Sequence, residues 1–466
     1  MKREQIRFIL TDIRIWILLF FVIRMIGITN PPLEIGHNWR QSLTNMIARN
    51  FLESDPNIFY PRIDMAGNQT GIIGSEFPFY NYLIYIVSLF GGYSHWYGRL
   101  INLIVSSIGI YAFYLLIKEV CNKKIAFNAS IVFLSSIWFA FSRKIMPDTF
   151  SVTLVIIGLY YCYTYLMTGS LLKLLLFFLF STVGMLCKIP ALSLISVISI
   201  LILIKEIPIN KKIIVFILTI ISLVFVTFWY FYWVPYLLNT YHYQLYFPKG
   251  LIEGLKEITL LLPDFLKKFY FDSLSSYISL PFLLAGVYYI FREGNLYFKM
   301  GILVITCTFF VFILKTGAVF PLHNYYIIPF TPVMALIVGY GLSKIPSKYL
   351  YVSLITIALE GILNQQHDFF IKDRELYKIS LEDITNKYSN KNDLIVINGG
   401  QSPQEIYFAH RKGWTVDNKM ISKDELKRFK EIGASHLIID RNLFKTTIDY
   451  YPITYSDTNF NIYKLK

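Results

Sequence analysis

The sequence predicts an α-helical polytopic membrane protein with about eleven transmembrane helices and a small C-terminal α/β domain. Three observations predict it. The chain of 466 residues is 55% hydrophobic and only 16% charged, with a mean hydropathy of +0.50. Soluble domains sit near 45–50% apolar and about 25% charged. The apolar excess is concentrated in runs of roughly 17–25 residues, the length that crosses a hydrocarbon core of about 30 Å. Charge is dense only over the last hundred or so residues, where apolar runs are short.

Taken in order, the first apolar run covers about residues 15–28 and follows a basic stretch, Lys2, Arg3, Arg7 and Arg14. It lacks a small-residue cleavage site and reads as a retained anchor. Arg24 interrupts it, and Asn30-Pro31-Pro32 ends it. A polar stretch of roughly 45 residues follows, too long for a casual connection. Within it Leu43, Met46, Ile47 and Phe51 recur at helical spacing, which predicts an amphipathic helix at the membrane interface. Residues 77–90 are apolar but number only about 14, short for a span. They read as a second interfacial helix. The remaining spans are predicted at 95–117, 125–142, 149–168, 171–187, 189–204, 213–234, 273–291, 298–317, 324–343 and 349–364.

Loop charge orients this array. Lys118, Lys123, Lys124, Lys173, Lys205, Lys211, Lys212, Arg292, Lys299, Lys344 and Lys348 all fall on the side of the N-terminus. That side is then cytoplasmic in a multi-pass protein of the cell membrane, and the C-terminal domain is extracytoplasmic. Counting 77–90 as a span would put the Lys118–Lys124 cluster outside. The net charge of +14 is accounted for by this bias, and no nucleic-acid partner is implied. The four cysteines, Cys121, Cys162, Cys187 and Cys307, are widely spaced and outside the tail. They suggest neither a disulfide framework nor a zinc site.

A domain boundary is expected at 367/368. In the tail Leu394–Ile397 reads as a buried strand and Gly399-Gly400 as a turn. Ser402-Pro403-Gln404-Glu405 reads as a helix start with Ser402 as N-cap. Leu437–Ile439 reads as a second strand and Ile462-Tyr463 as an edge strand. No nucleotide loop or metal spacing occurs there, and a structural or acceptor-docking role is expected.

The predicted topology puts the candidate chemistry on the outer face. The first loop holds Gly36-His37-Asn38-Trp39-Arg40-Gln41, Tyr60-Pro61-Arg62-Ile63-Asp64 and Ser75-Glu76-Phe77-Pro78. Arginine offers a bidentate fork to phosphate. A carboxylate or histidine can take a proton from an attacking hydroxyl. The plainer alternative is that Arg40 and Arg62 snorkel, or pair with Glu76 and Asp64. Arg143-Lys144-Ile145-Met146-Pro147-Asp148 stands between two spans, with Asp148 placed either for chemistry or as an N-terminal helix charge. Lys188 follows Cys187 between two short spans, where a snorkelling lysine also fits. His323-Asn324-Tyr325-Tyr326 precedes Pro329, and an aromatic girdle would explain its tyrosines equally well.

In their order these segments resemble the membrane glycosyltransferases of the C superfamily (GT-C), in particular the family 39-like proteins that include protein O-mannosyltransferases and the bacterial aminoarabinose transferase. The resemblance is strongest from Trp39-Arg40-Gln41 through Ser75-Glu76-Phe77-Pro78 to Trp96-Tyr97-Gly98-Arg99-Leu100. It implies the GT-C fold with catalytic groups in the first outer loop, and an inverting single displacement from a polyprenyl-phosphate sugar donor on the outer face. The acceptor would be a lipid, a glycan or a protein. Many relatives carry an acidic pair early in that loop, where this chain has His37-Asn38. Glu76, Asp148, His37 and Asp64 are therefore the candidate catalytic groups. Arg40, Gln41, Arg62, Arg143, Lys188, His323 and Tyr325 are the candidate substrate-binding groups. The missing acidic pair weakens the case for a divalent metal, which favours carboxylate oxygens, and no cofactor is otherwise implied. The competing readings are a flippase of lipid-linked sugars and a polysaccharide polymerase or ligase. A flippase would call for mid-bilayer charges and repeated halves, and no internal repeat is visible.

Overall fold

The computed structural model describes residues 11–243 and 248–466. Their Cα packing forms two compact units. One comprises the described residues of Met1–Ile28, Arg99–Tyr232 and Tyr246–Phe369. The other comprises those of Thr29–Gly98, Trp233–Leu245 and Phe370–Lys466. Packing thus groups the chain differently from a single cut at 367/368, because the first loop joins the C-terminal residues.

The first unit is helical. Among the described residues, five helical runs are long and apolar enough to cross a membrane: Tyr97–Val120, Pro147–Thr168, Ile209–Tyr241, Leu296–Thr316 and Asn324–Leu342. Other expected spans are helical but shorter, interrupted or, as in the 19-residue helix Ser347–Gln365, less apolar. The expected 125–142 span is a helix over Lys123–Ser135, a break at Ser136 and a short turn over Trp138–Phe141. The Ser136 hydroxyl accepts from the Trp138 N–H at 3.2 Å, a local bond that competes with the helical ladder. The expected 189–204 span is a 3₁₀–α–3₁₀ succession over Ile189–Ile202. Pro190 near its start supplies no N–H. Arg24, so unusual in an apolar run, is fully buried and satisfied. It donates to the Ser142 hydroxyl at 2.5 Å, the Ser107 hydroxyl at 3.2 Å and the Phe20 carbonyl at 3.1 Å.

The second unit is built on a five-stranded sheet. Its strands are β1 (Leu394–Ile397), β2 (Gly413–Thr415), β3 (Ala434–Asp440), β4 (Ile453–Ser456) and β5 (Phe460–Lys464), in the order β2-β1-β3-β5-β4. β1 runs parallel to β2 and β3, while β5 is antiparallel to β3 and β4. Ile462-Tyr463 is therefore interior and not an edge, because β4 adds beyond it. β4 was invisible to the apolar-run criterion, since its residues are largely exposed. The expected helix start shifts by one residue: Pro403 is the N-cap of Gln404–Ala409, and the Ser402 hydroxyl accepts from the Gln404 N–H.

Alternation along β1 divides the core of this unit. Val396 faces Leu426, Phe429 and Leu437. Ile395 and Ile397 share a core with Leu43, Met46, Ile47 and Phe51 of the Asn38–Glu53 helix. That helix exists as predicted, but its apolar stripe packs on the sheet core and not on a membrane interface. Burying each such side chain favours packing by about 1.5–3 kcal/mol. Gly67 sits at φ +61°, and a Cβ there would meet the Trp414 indole at 2.2 Å. This close approach lets the Gly67 N–H reach the Gly413 carbonyl at 2.7 Å. The Phe79–Gly91 helix has 13 residues, about 20 Å at 1.5 Å per residue. It falls short of a bilayer core, and Leu89 and Phe90 are exposed on it.

Candidate active site

In the helical unit the candidate residues gather around the start of the Pro147–Thr168 helix. Met146 is extended, Pro147 opens the helix and Asp148 lies in its first turn. A carboxylate there is favoured by the exposed backbone N–H groups. The approach to this turn is held by Asn102, a polar residue inside an apolar helix. Its amide donates to the carbonyls of Phe141 at 3.3 Å, Lys144 at 2.8 Å and Met146 at 3.3 Å. Asp148 is 4% exposed. Its Oδ1 lies 3.5 Å from Lys188 Nζ, while among the described residues its Oδ2 has no hydrogen-bond partner. Lys188 extends at the C-cap of Leu171–Cys187, and its ammonium lies 5.9 Å from the Tyr325 ring centre. The His323 ring stacks on Tyr325 with centroids 5.5 Å apart. Burial, with Lys268 nearby, lowers the His323 pKa and favours the neutral ring. Asp148, Lys188, Tyr325 and His323 thus form one neighbourhood. Arg143 is buried in the same unit with its guanidinium 4.1 Å over the Phe369 ring. Lys144 is paired with Asp368 at 3.1 Å.

In the second unit Arg40 is ion-paired with Glu76, both partly buried. Arg40 lies in the first turn of the Asn38–Glu53 helix, whose N-cap is His37 at φ 57°. The His37 carbonyl accepts from the N–H groups of Arg40 at 3.0 Å and Gln41 at 3.1 Å. Gln41 is fully buried. The other first-loop candidates pair differently from the expected scheme. Arg62 binds Asp55 at 2.9 Å and not Asp64. Asp64 has both oxygens occupied, Oδ2 by Arg49 at 3.0 Å and Oδ1 by the Asn50 amide at 2.8 Å.

Sequence reasoning missed Arg49, Asn102 and Glu34. Arg49 is 2% exposed, and its guanidinium lies 4.7 Å over the Tyr407 ring. The available signal was a single arginine between Ile47 and Phe51 on an otherwise apolar stripe. Glu34 is fully buried, accepts from the Asn30 amide at 3.1 Å, and its backbone bridges Ile371. Two histidines are structural. The His95 ring nitrogen meets the Tyr407 hydroxyl at 2.6 Å, and burial with Arg49 close by pushes its pKa down to about 4. His410 lies between Glu382 at 2.6 Å and Glu53 at 2.9 Å. Among the described residues no three His, Cys, Asp or Glu side chains gather as a metal-ligand set.

Comparisons with known proteins bear on this geometry. Residues 75–232 match the family model described as dolichyl-phosphate-mannose-protein mannosyltransferase. That segment contains Glu76, Arg143, Asp148 and Lys188. No curated protein matches the sequence. The chain resembles the crystal structure of ArnT from Cupriavidus metallidurans in the apo state, with a TM-score of 0.65 at 11% identity over 97% of this chain and 98% of that one. The same protein bound to undecaprenyl phosphate matches with a TM-score of 0.64 at 10% identity, again over 97% and 98%. The apo oligosaccharyltransferase of Archaeoglobus fulgidus matches with a TM-score of 0.57 at 12% identity, over 91% of this chain and 69% of that one.

Proposed function

We propose that this chain, which has the fold of the C-superfamily membrane glycosyltransferases, transfers a sugar from a polyprenyl-phosphate donor to an acceptor hydroxyl with inversion. The observation that carries the reading is the Asp148–Lys188 pair, a nearly buried carboxylate with one oxygen open at the end of apolar helices. A lipid-phosphate sugar needs a cation for its phosphate and a base for the acceptor, beside an apolar surface for its tail. The same pairing recurs in Arg40–Glu76. The matched family description and the undecaprenyl phosphate bound to the ArnT structure support the choice of donor.

In the proposed reaction the acceptor oxygen attacks the anomeric carbon. The bond from that carbon to the phosphate oxygen breaks, and its electron pair leaves with the polyprenyl phosphate. The acceptor proton passes to the open oxygen of Asp148 or to Glu76. Where Asp148 is the base, its partner Lys188 stabilises the charge that grows on the leaving phosphate; where Glu76 is, its partner Arg40 does so. His323 and Tyr325 bound the Asp148 neighbourhood, Arg143 lies over Phe369 in the same unit, and His37 and Gln41 set the start of the helix that carries Arg40. Asp64 and Arg62, already paired, hold the first loop in shape. No step is routed through a metal. Transfer is assigned to the outer face of the cell membrane, with the N-terminus cytoplasmic, on the strength of the loop lysines.

The test is transfer from a polyprenyl-phosphate sugar by Glu76→Gln, Asp148→Asn and Arg40→Ala variants. General-base loss costs about 10²–10⁴ in rate. Asp148→Asn is expected to lose at least a hundredfold. Full activity in all three overturns the assignment.

A further inference from the structure

The helical unit holds an apolar cavity of about 460 Å³, within the range of ligand pockets. The Pro147–Thr168 helix serves as a ruler for its position. Asp148 lies at one end of that helix, whereas Ile156 to Met167 contribute to the cavity wall. At 1.5 Å per residue, the wall begins about 12 Å and ends about 28 Å further along the axis. The deep wall is buried, as at Ile156, Ile198 and Val333. The rim is exposed at Val120, Met167, Glu206 and Asn295. The cavity therefore opens away from the Asp148 end.

Three lysines adjoin residues of this cavity. Lys205 lies between the lining residues Ile204 and Glu206, and Lys299 follows the lining residue Phe298. Lys211 donates to the carbonyl of Leu166, itself part of the wall, at 2.7 Å. An ammonium has three donors, so Lys211 retains capacity for an anion. Glu206 is the opposing charge at the mouth. An apolar recess in a bilayer forfeits dispersion contacts unless a chain fills it, and a lysine rim attracts an anionic headgroup.

We propose that this recess binds an anionic phospholipid of the leaflet on the lysine-bearing side, its acyl chain in the cavity and its phosphate at Lys205, Lys211 and Lys299. The rim chemistry selects the charge, and the apolar wall selects the chain. The polyprenyl-phosphate donor is disfavoured as occupant, because its phosphate would lie at the end remote from Asp148. The inference rests on the membrane-spanning character of the chain and not on the transferase reading.

The experiment is native mass spectrometry of the full, lipid-stripped chain in detergent. It is titrated with phosphatidylglycerol, phosphatidylcholine and undecaprenyl phosphate. Phosphatidylglycerol is expected to bind in preference to phosphatidylcholine. Lys205→Gln and Lys299→Gln should each weaken it about fivefold, and Glu206→Gln should strengthen it by a similar factor. Ile302→Trp, which narrows the cavity, should weaken binding. The rim variants replace residues that are exposed or half-buried and report independently of whether the tryptophan variant folds. Equal binding of the two phospholipids, or no response to the rim variants, overturns the proposal. Displacement of phosphatidylglycerol by undecaprenyl phosphate, with direct binding of undecaprenyl phosphate itself weakened by Ile302→Trp, overturns the choice of occupant.

Discussion

The two units treat buried charge in opposite ways. In the helical unit Asp148 meets a cation through one oxygen at 3.5 Å and keeps the other open. In the sheet-bearing unit Asp64 has both oxygens bound, and its partner Arg49 also donates to the Tyr407 carbonyl at 3.1 Å. A half-satisfied buried carboxylate costs stability, which makes it a candidate for chemistry. One held through both oxygens has its position fixed by two donors and serves shape. The contrast distinguishes acids that look equivalent in sequence: Asp148 and Asp64 each follow a basic residue in a polar loop segment.

The largest expected effect breaks the saturated pair. Arg49→Met leaves the partly buried Asp64 without its cation, and breaking a buried pair from one side costs up to about 3–5 kcal/mol. Thermal unfolding should show a large fall in Tm, with transfer per folded molecule retained. The matching double change, Asp148→Asn with Lys188→Met, removes both charges together. Replacing a buried pair as a unit is often neutral for stability, so Tm should move little while transfer is lost. The contrast collapses if Arg49→Met is stable or if the double variant keeps its activity.

The sequence displayed the apolar runs, the membrane class and the existence of a sheet in the tail, because hydrophobic periodicity is written locally. The long helices at 97–120, 147–168 and 296–316 follow those runs closely. The role of the Leu43–Phe51 stripe was not legible. Its period announces an amphipathic helix, but the same pattern serves a membrane surface and a strand core, and only the arrival of Ile395 and Ile397 decides between them. Ion pairing was equally hidden. Asp64, two residues on, was one partner the sequence offered Arg62 if it did not bind substrate. In an extended segment, however, the backbone fixes which partner each side chain meets, and Arg62 finds Asp55. Asp148 was legible as a candidate because proline and an acid at a helix start form a local signal. Its open oxygen was not, since that depends on where Lys188 sits.

A smaller effect concerns pH and belongs to the sheet-bearing unit. His410 adopts φ 47° and is held between Glu382 and Glu53. Burial opposes its charge, but the two carboxylates prevail and its pKa is raised above the ordinary 6.5. Glu53 is moved the other way: burial acts to raise it, yet the His410 bond and Lys391 bring it down to about 2. A raised histidine gives stability that is complete below 6.5 and fades as pH climbs through the folded value. A depressed carboxylate gives stability that is present above 4.5 and fades as pH falls toward 2. The cluster should therefore be firmest between about 4.5 and 6.5. Tm measured upward from pH 6.5 should decline in the parent chain, and this component should vanish in His410→Gln. An unchanged slope in that variant would show that other groups set the pH response.

The smallest effect is at Arg62. Its guanidinium is 27% exposed and Asp55 is 37% exposed, with the pair at 2.9 Å. Exposed ion pairs contribute about 0–1 kcal/mol, because solvent screens the attraction and ordering two long side chains costs entropy. Arg62 also forms a backbone bridge with Ile72, and a side-chain substitution leaves that bridge intact. Arg62→Gln should therefore shift Tm only marginally. If Arg62 serves only the shape of the loop, transfer should be nearly unchanged too, and the Michaelis constant for the polyprenyl-phosphate sugar should not move. A rise in that constant with Tm unaltered would mean that Arg62 leaves Asp55 for the donor phosphate. It would then join Arg40 among the phosphate-binding groups, and the division between open and saturated charges would have to be redrawn inside the first loop itself.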